Sequence, residues 1–304
     1  MIRIIKQILL NRNTILVFAV LAGILIGDKA SSLKDLTFPA LAITMTFSMT
    51  GMRMSQVKDL NGVYKPFLMG ILLNYGLFSL VLIPLAYWFM PTPELFYGFV
   101  VIAAAPPGVA IIPFSYILKG DVIYAIIGVV GAFLGSIFIA PLLVNVFAAS
   151  KGINSWDLFV MMVQLVVAPL IISRFLLWKP LFKYIEPIRG KVVDWGFAVL
   201  IFVAVGINRE VFFTEPLLLV KVSLILLIAT FVLGYVYTKI ADKAGVSQSI
   251  VTSQSMLVAI KSSGFSVFTA ITLFGKEAAI PSAVMAVVVL LYLIYLSLKS
   301  KVIG

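Results

Sequence analysis

Residues 95–121 read LFYGFVVIAAAPPGVAIIPFSYILKGD, an apolar run long enough to cross a bilayer, interrupted by Pro106-Pro107-Gly108 and closed by Lys119-Gly120-Asp121. Proline has no N–H to donate and pushes the residue before it out of the helical region, so the run is a broken helix. Residues 248–277, QSIVTSQSMLVAIKSSGFSVFTAITLFGKE, repeat the plan with Ser262-Ser263-Gly264 and then Gly275-Lys276-Glu277. Asp121 and Glu277 each follow the paired glycine by thirteen residues. Non-helical backbone at membrane depth is tolerated only inside protein or beside a water-filled cavity. Paired interruptions in two halves of a chain therefore point to a transporter's binding site. Each break also leaves a half-helix N-terminus, with its partial positive charge, near the bilayer centre.

The rest of the chain agrees with lipid as its solvent. Of 304 residues 62% are hydrophobic and 12% charged, whereas soluble domains carry about 25% charge. Ten apolar segments are read as spans, the first, second and seventh of them short and leaning on snorkelling flanks such as Arg12 and Arg53: Asn13–Gly27, Leu36–Met52, Pro66–Phe89, Leu95–Leu118, Val122–Phe147, Trp156–Leu177, Val192–Ile207, Pro216–Tyr237, Gln248–Phe274 and Ala278–Leu298. Trp88, Trp156, Trp178 and Trp195 fall at their ends, where amphipathic rings settle. Arg3 and Lys6 before an apolar run resemble a signal peptide, but no small-residue cleavage site follows Gly27 and the segment is kept as a span. The net charge of +11 does not imply nucleic acid, because the basic residues sit in short gaps between apolar runs. Counted by alternate gaps, sixteen Lys and Arg lie on the face of the N-terminus and six on the other. The positive-inside bias then places both termini in the cytoplasm of a multi-pass plasma-membrane (inner-membrane) protein.

Five spans per half is an odd number, so a duplicated half lies inverted. The predicted fold is all-α: ten transmembrane helices as a 5+5 inverted repeat, residues 1–150 and 151–304, with discontinuous helices 4 and 9.

The same residues carry a family resemblance. Ala105-Pro106-Pro107-Gly108 followed by Tyr116-Ile117-Leu118-Lys119-Gly120-Asp121 resembles the crossover helix of the bile acid:sodium symporter family, where a Cys-Pro-Gly-Gly-Thr-Ala-Ser-Asn stretch leads to Tyr-Leu-Ala-Lys-Gly-Asp. Val258-Ala259-Ile260-Lys261-Ser262-Ser263-Gly264 is similar to that family's Glu-Val-Gly-Met-Gln-Asn-Ser-Gly, and Thr50-Gly51-Met52 resembles its second span. The auxin-efflux-carrier type is a more distant likeness. The resemblance implies a panel of helices 1, 2, 6 and 7 and a core of helices 3–5 and 8–10, with helices 4 and 9 crossing. It further implies substrate bound between the two and access alternating by their relative movement. The family's sodium ligands are oxygen groups, as a hard cation requires. Aligned on Lys-Gly-Asp, they fall here on Ile111, Ile112, Ala125, Val129 and Leu257, and the family's Gln falls on Lys261. Aliphatic side chains cannot replace a hydration shell, so sodium coupling in the family manner is not expected.

All twelve acidic residues lie in gaps or at span ends, leaving Lys261 the one charged side chain deep in a span. Such a group costs at least ~2.5 kcal/mol on insertion scales and is by default functional. Three roles are open to it: a surrogate for the missing ion, held by carbonyls and Asn74; a partner for a substrate carboxylate; or a carrier of a coupled proton. The other candidates are Asn74 in span 3, Pro107 and Gly108 at the first break, Ser262, Ser263 and Gly264 at the second, and Ser115 and Thr269 along the crossing helices. Gln164, Gln254, Ser48 and Thr44 are weaker ones.

No Cys and no His occur, which removes thiolate and imidazole metal sites and their catalysis. No cofactor is implied. A Ser262–Lys261 dyad is disfavoured as well, since adjacent helical residues face different ways, so the chain is not expected to be an enzyme. The sequence predicts a secondary transporter that moves a small organic anion, a carboxylate or bile-acid-like molecule, without sodium. The alternatives are a non-transporting receptor or sensor for the same ligands and a sodium-coupled bile-acid-type symporter.

Overall fold

The computed structural model describes residues 12–52, 62–148 and 154–303. Of the charges used for orientation, Arg3, Lys6, Arg53, Lys58 and Lys151 lie outside the described residues. Within them the chain is helical: α1 (Arg12–Ile26), α2 (Thr37–Met49), α3 (Tyr64–Phe89), α4 (Pro93–Ala104), α5 (Ile111–Ile117), α6 (Val122–Ala148), α7 (Trp156–Leu176), α8 (Lys179–Ile207), α9 (Arg209–Thr214), α10 (Pro216–Lys243), α11 (Gln248–Ala259), α12 (Ser263–Phe274) and α13 (Ile280–Ile303). Six helices are long and apolar enough to cross a membrane, namely α3, α6, α7, α8, α10 and the Glu277–Lys299 stretch; Thr14–Ile26, α4 and α12 are shorter apolar helices. This is a multi-pass helical membrane protein.

Both breaks are present. Thr92 caps α4 by accepting from the Leu95 N–H, and Pro93 begins its first turn, where a missing donor costs nothing. The helix stops at Ala104 because Ala105, forced extended by Pro106, has ψ 144°. The second break has no proline. Ile260 and Ser262 are nonetheless extended, because the two breaks satisfy each other. Gly108 N donates to Ile260 O at 3.1 Å, and Ser262 N donates to Pro106 O at 2.9 Å. These bonds form a single antiparallel bridge in which Pro107 opposes Lys261. Backbone groups that would be orphaned in lipid are thereby paired within the protein.

The outer ends of the broken helices are tied in a reciprocal way. Asp121 N donates to Ser249 O and Asp121 O accepts from Ser253 Oγ, binding the end of the first broken helix to the start of the second. Thr92 Oγ1 donates to Glu277 Oε1 at 2.6 Å, binding the start of the first to the end of the second.

Three long helices each contain one π-helical turn: Leu72–Leu77 in α3, Val163–Val167 in α7 and Ile228–Val232 in α10. Helix α8 runs along α1 and α2, α7 lies on α2, and α3 lies along α6. Small residues set the closest approaches. A Cβ on Gly70 of α3 would overlap the backbone of Gly128 on α6, and one on Gly98 of α4 would overlap Ala278 O.

Two expectations are corrected. The seventh span belongs to a longer helix than its apolar Val192–Ile207 segment, since α8 begins at Lys179 and runs through Pro187. Lys183, Tyr184 and Glu186 are exposed along it, so the helix begins with a charged stretch that an apolar window misses. Trp195 consequently lies within α8 rather than at its end, whereas Trp88 and Trp178 do flank helix ends and are exposed.

At the other end of this region Arg174, in the last turn of α7, donates to Met52 O at 2.7 Å and to Met49 O at 2.5 Å. It thus caps the C-terminus of α2, where unpaired carbonyls and the helix dipole favour a cation. Arg174→Gln is expected to cost about 1.5–3 kcal/mol, the range for hydrogen bonds to charged groups. An unchanged denaturation midpoint in detergent would contradict this cap.

Candidate ion and substrate site

Lys261 stands where the broken helices cross and is 2% exposed. Its Nζ donates to Asn74 O at 2.7 Å, Ala103 O at 2.8 Å and Ala105 O at 3.0 Å. Each acceptor has a local cause. Ala103 O would receive the N–H four residues on, but that residue is Pro107, which has none. Ala105 lies beyond the end of α4. Asn74 O is released by the π-helical turn, because the Phe78 N–H that would return to it in an α-helix goes to Leu73 O instead. The rings of Tyr75 and Phe78 lie 4.7 and 4.9 Å from Nζ, within the range of cation–π attraction. Tyr75 is itself held by donating to Ala132 O at 2.9 Å. Three carbonyl acceptors around Nζ match in number the three donors of an ammonium, and together with the two rings they form a cage around the lysine terminus.

Asn74 takes part differently from its expected role. It offers its main-chain carbonyl to Lys261 rather than its side chain. Its Nδ2 donates to Ala105 O at 3.2 Å, while Oδ1 is buried without a partner. Pro107, Gly108 and Ser262 form the bridge around Lys261. Ser263 opens α12, and Gly264 lets that helix close on α8, since a Cβ there would stand 2.7 Å from the Phe197 ring. Ser115 and Thr269 are also buried, yet their hydroxyls have no hydrogen-bond partner and neither belongs to the cage.

The weaker candidates separate. Gln254 joins a buried network, donating to Tyr124 OH at 2.6 Å and accepting from Tyr237 OH at 2.9 Å. Thr44 donates back to Ala40 O. Gln164 is exposed. The positions aligned with the family's sodium ligands, Ile111, Ile112, Ala125, Val129 and Leu257, are all buried in one apolar core.

Beside the crossing, a cavity of about 640 Å³ opens between α2 and α8 on one side and α5 and α6 on the other. Ser48 contributes to its wall, as do Arg189 and Asp194 of α8. Arg189 counts in the sequence only as one of the many charges on the basic face, and nothing in its local pattern distinguishes it.

A multi-pass helical protein whose two broken helices meet at a buried lysine beside such a cavity falls in the class of secondary transporters, not of enzymes. The model of the sodium bile acid symporter family matches residues 38–215, more than half of the chain, and the chain belongs to that family. The probable sodium/metabolite cotransporter BASS1, a chloroplast protein of Arabidopsis thaliana, is 25% identical over 274 residues, which cover 87% of this chain and 68% of that one.

Proposed function

We propose that this chain carries a small organic anion by alternating access, independently of sodium, with the Lys261 ammonium as a resident cation. The observation that carries this reading is the cage itself. The Lys261 Nζ sits among three carbonyl oxygens at the crossing, and the aligned sodium-ligand positions offer only aliphatic side chains.

Of the three roles open to Lys261, the fixed cation is the best supported. A charged ammonium supplies a donor to each of the three carbonyls, whereas a neutral amine has two and would leave Ala105 O to the Asn74 amide alone. All three donors of the charged form are spent on protein, which leaves none to pair with a substrate carboxylate.

The duplicated architecture is supported by register. Leu72 and Ile228, which begin π-helical turns, are separated by as many residues as Gly108 and Gly264, and as Asp121 and Glu277. The reciprocal ties at Asp121 and Glu277 are what two inverted halves would produce. Ten spans follow when each broken pair, α4 with α5 and α11 with α12, is counted as one span. The packing of α8 on α1 and α2, and of α7 on α2, supports a panel that moves against a core of the remaining helices. We place the basic face, and with it both ends, in the cytoplasm.

The name of the Arabidopsis relative favours sodium coupling as the second reading, and a titration without any substrate separates the two. A sodium site with a Kd of about 1 mM would add roughly 2.7 kcal/mol at 100 mM sodium. The wild-type chain is expected to show no saturable rise in melting temperature when sodium replaces choline at constant ionic strength. A saturable, sodium-specific rise would establish the coupled reading instead.

A further inference from the structure

Gly245 and Gly275 follow α10 and α12 with positive φ, 72° and 87°, but after α5 the residue in that conformation is Lys119, at φ 57°. The turn is of the kind glycine usually completes: Gly120 N donates to Ser115 O at 2.7 Å and Lys119 N to Tyr116 O at 3.3 Å. Lys119 follows Gly108 by eleven residues, as Gly275 follows Gly264, so the corresponding place in the second half keeps the glycine. The backbone gains nothing from a lysine here, and the Lys119 side chain is exposed at the wall of a cavity. We propose that Lys119 and Lys299 bind the phosphate of an anionic phospholipid in that cavity. This inference goes beyond the transport reading and requires only that the chain spans a bilayer.

The cavity, of about 350 Å³, draws its wall from distant parts of the chain: Lys119 after α5, Thr238 of α10, Gln248, Thr252 and Ser255 of α11, and Lys299 of α13. Both lysines are exposed, and among the described residues no carboxylate lines the cavity. The nearby Asp121 carboxylate is turned to the start of α6, where Oδ1 accepts from Tyr124 N at 2.9 Å. Thr238, Thr252 and Ser255 each spend the hydroxyl proton on a carbonyl of their own helix. Donors for a ligand are therefore left to the two ammonium groups and the Gln248 amide, which suits an anion rich in acceptor oxygens.

The surroundings favour a lipid as the source of that anion. Residues one turn apart share a helix face, and one turn from Thr238 and Lys299 stand Tyr235 and Tyr295, 54% and 42% exposed. Leu118, Val251 and Leu296 complete the wall. A phospholipid seated here places its phosphate between the lysines and its chains along α10 and α13. Basic pockets between transmembrane helices hold anionic headgroups in this way. Free phosphate would use the charge and leave the apolar part of the wall idle.

The test titrates the full chain in detergent with dioleoyl phosphatidylglycerol, dioleoyl phosphatidylcholine or inorganic phosphate. It reads the melting temperature and, by native mass spectrometry, the lipid retained. Wild type is expected to show a saturable rise with phosphatidylglycerol and none with the other two. One lysine beside an anionic headgroup is worth about fivefold in affinity. Lys119→Gln and Lys299→Gln should each raise the half-saturating concentration by about that factor, whereas Lys119→Arg and Lys299→Arg should retain most of the affinity. Lys119→Gly should lose lipid as Lys119→Gln does while melting no lower than wild type without lipid, which separates lost binding from lost folding. Lys183→Gln, on the exposed start of α8 and outside the cavity, should leave the titration unchanged.

Equal weakening by Lys183→Gln would mean that the basic face attracts lipid diffusely, and would overturn the site. Wild-type titrations in both Gln variants, or no response of wild type to phosphatidylglycerol, would overturn it as well. An equal response to inorganic phosphate would overturn the lipid assignment.

Discussion

Lys261→Met is expected to lower stability by about 3–5 kcal/mol, the range for removing one partner of a buried charged interaction. Methionine keeps much of the length and apolar bulk of the side chain, so the cavity left behind is small. What is lost is a donor to Asn74 O, to Ala103 O and to Ala105 O, the last of which keeps the Asn74 amide. Each buried acceptor left unpaired costs about 1–3 kcal/mol.

The vacated cage is then three carbonyl oxygens with two aromatic rings beside them, the kind of oxygen-rich site a monovalent cation enters. Part of the lost stability should therefore return on adding ammonium, potassium or sodium to the variant, whereas wild type stays indifferent to all three. Lys261→Arg should not be a substitute, because a planar fork cannot point three donors inward from one atom. A Lys261→Met protein that melts with wild type would show that the cage is not a stabilising element.

Gly70→Ala should cost about 3 kcal/mol, the upper part of the range for overpacking. Its methyl group would collide with the carbonyl of Gly128, which is main chain and cannot rotate away. The reverse substitution is the control. A Cβ on Gly128 meets a Leu257 methyl group at 2.6 Å, and a leucine terminus can change rotamer, so Gly128→Ala should be the milder of the two. Asn74 lies one turn beyond Gly70 on α3, and a displaced α3 would carry the Asn74 carbonyl away from Lys261. The Gly70 variant should accordingly lose cation independence along with stability. Equal melting temperatures for the two alanine variants would refute this account of the α3–α6 crossing.

How far the amino-acid sequence announces this arrangement depends on whether side chains or main chain do the work. Pro106 and Pro107 declare the first break outright, and the solitary charge of Lys261 marks the second. The cage itself has no side-chain signature, because its acceptors are carbonyls of Asn74 and of two alanines. The π-helical turn that frees one of them arises from how α3 packs, and LLNYGL would serve equally well as ordinary α-helix. The break before Ser263 is equally silent, since it is held open by hydrogen bonds to a segment far away in the chain. The length of α8 was hidden for the opposite reason, because charged residues continue the helix beyond its apolar stretch. Arg189 belongs to a count of like charges in one dimension, and only the fold shows which member of that count borders the cavity.

The mutual sealing of the two breaks also bears on how the chain is made. Ala103 and Lys261 are 158 residues apart. At a synthesis rate of roughly 5–20 residues per second, the proline-interrupted helix waits about ten to thirty seconds for its partner to emerge. Through that interval the first half of the chain sits in the bilayer with carbonyls and N–H groups that nothing yet covers. The crossing is therefore a late, long-range closure, and the nascent protein is most exposed to misassembly and to quality-control proteases just before the second broken helix, α11 with α12, is complete.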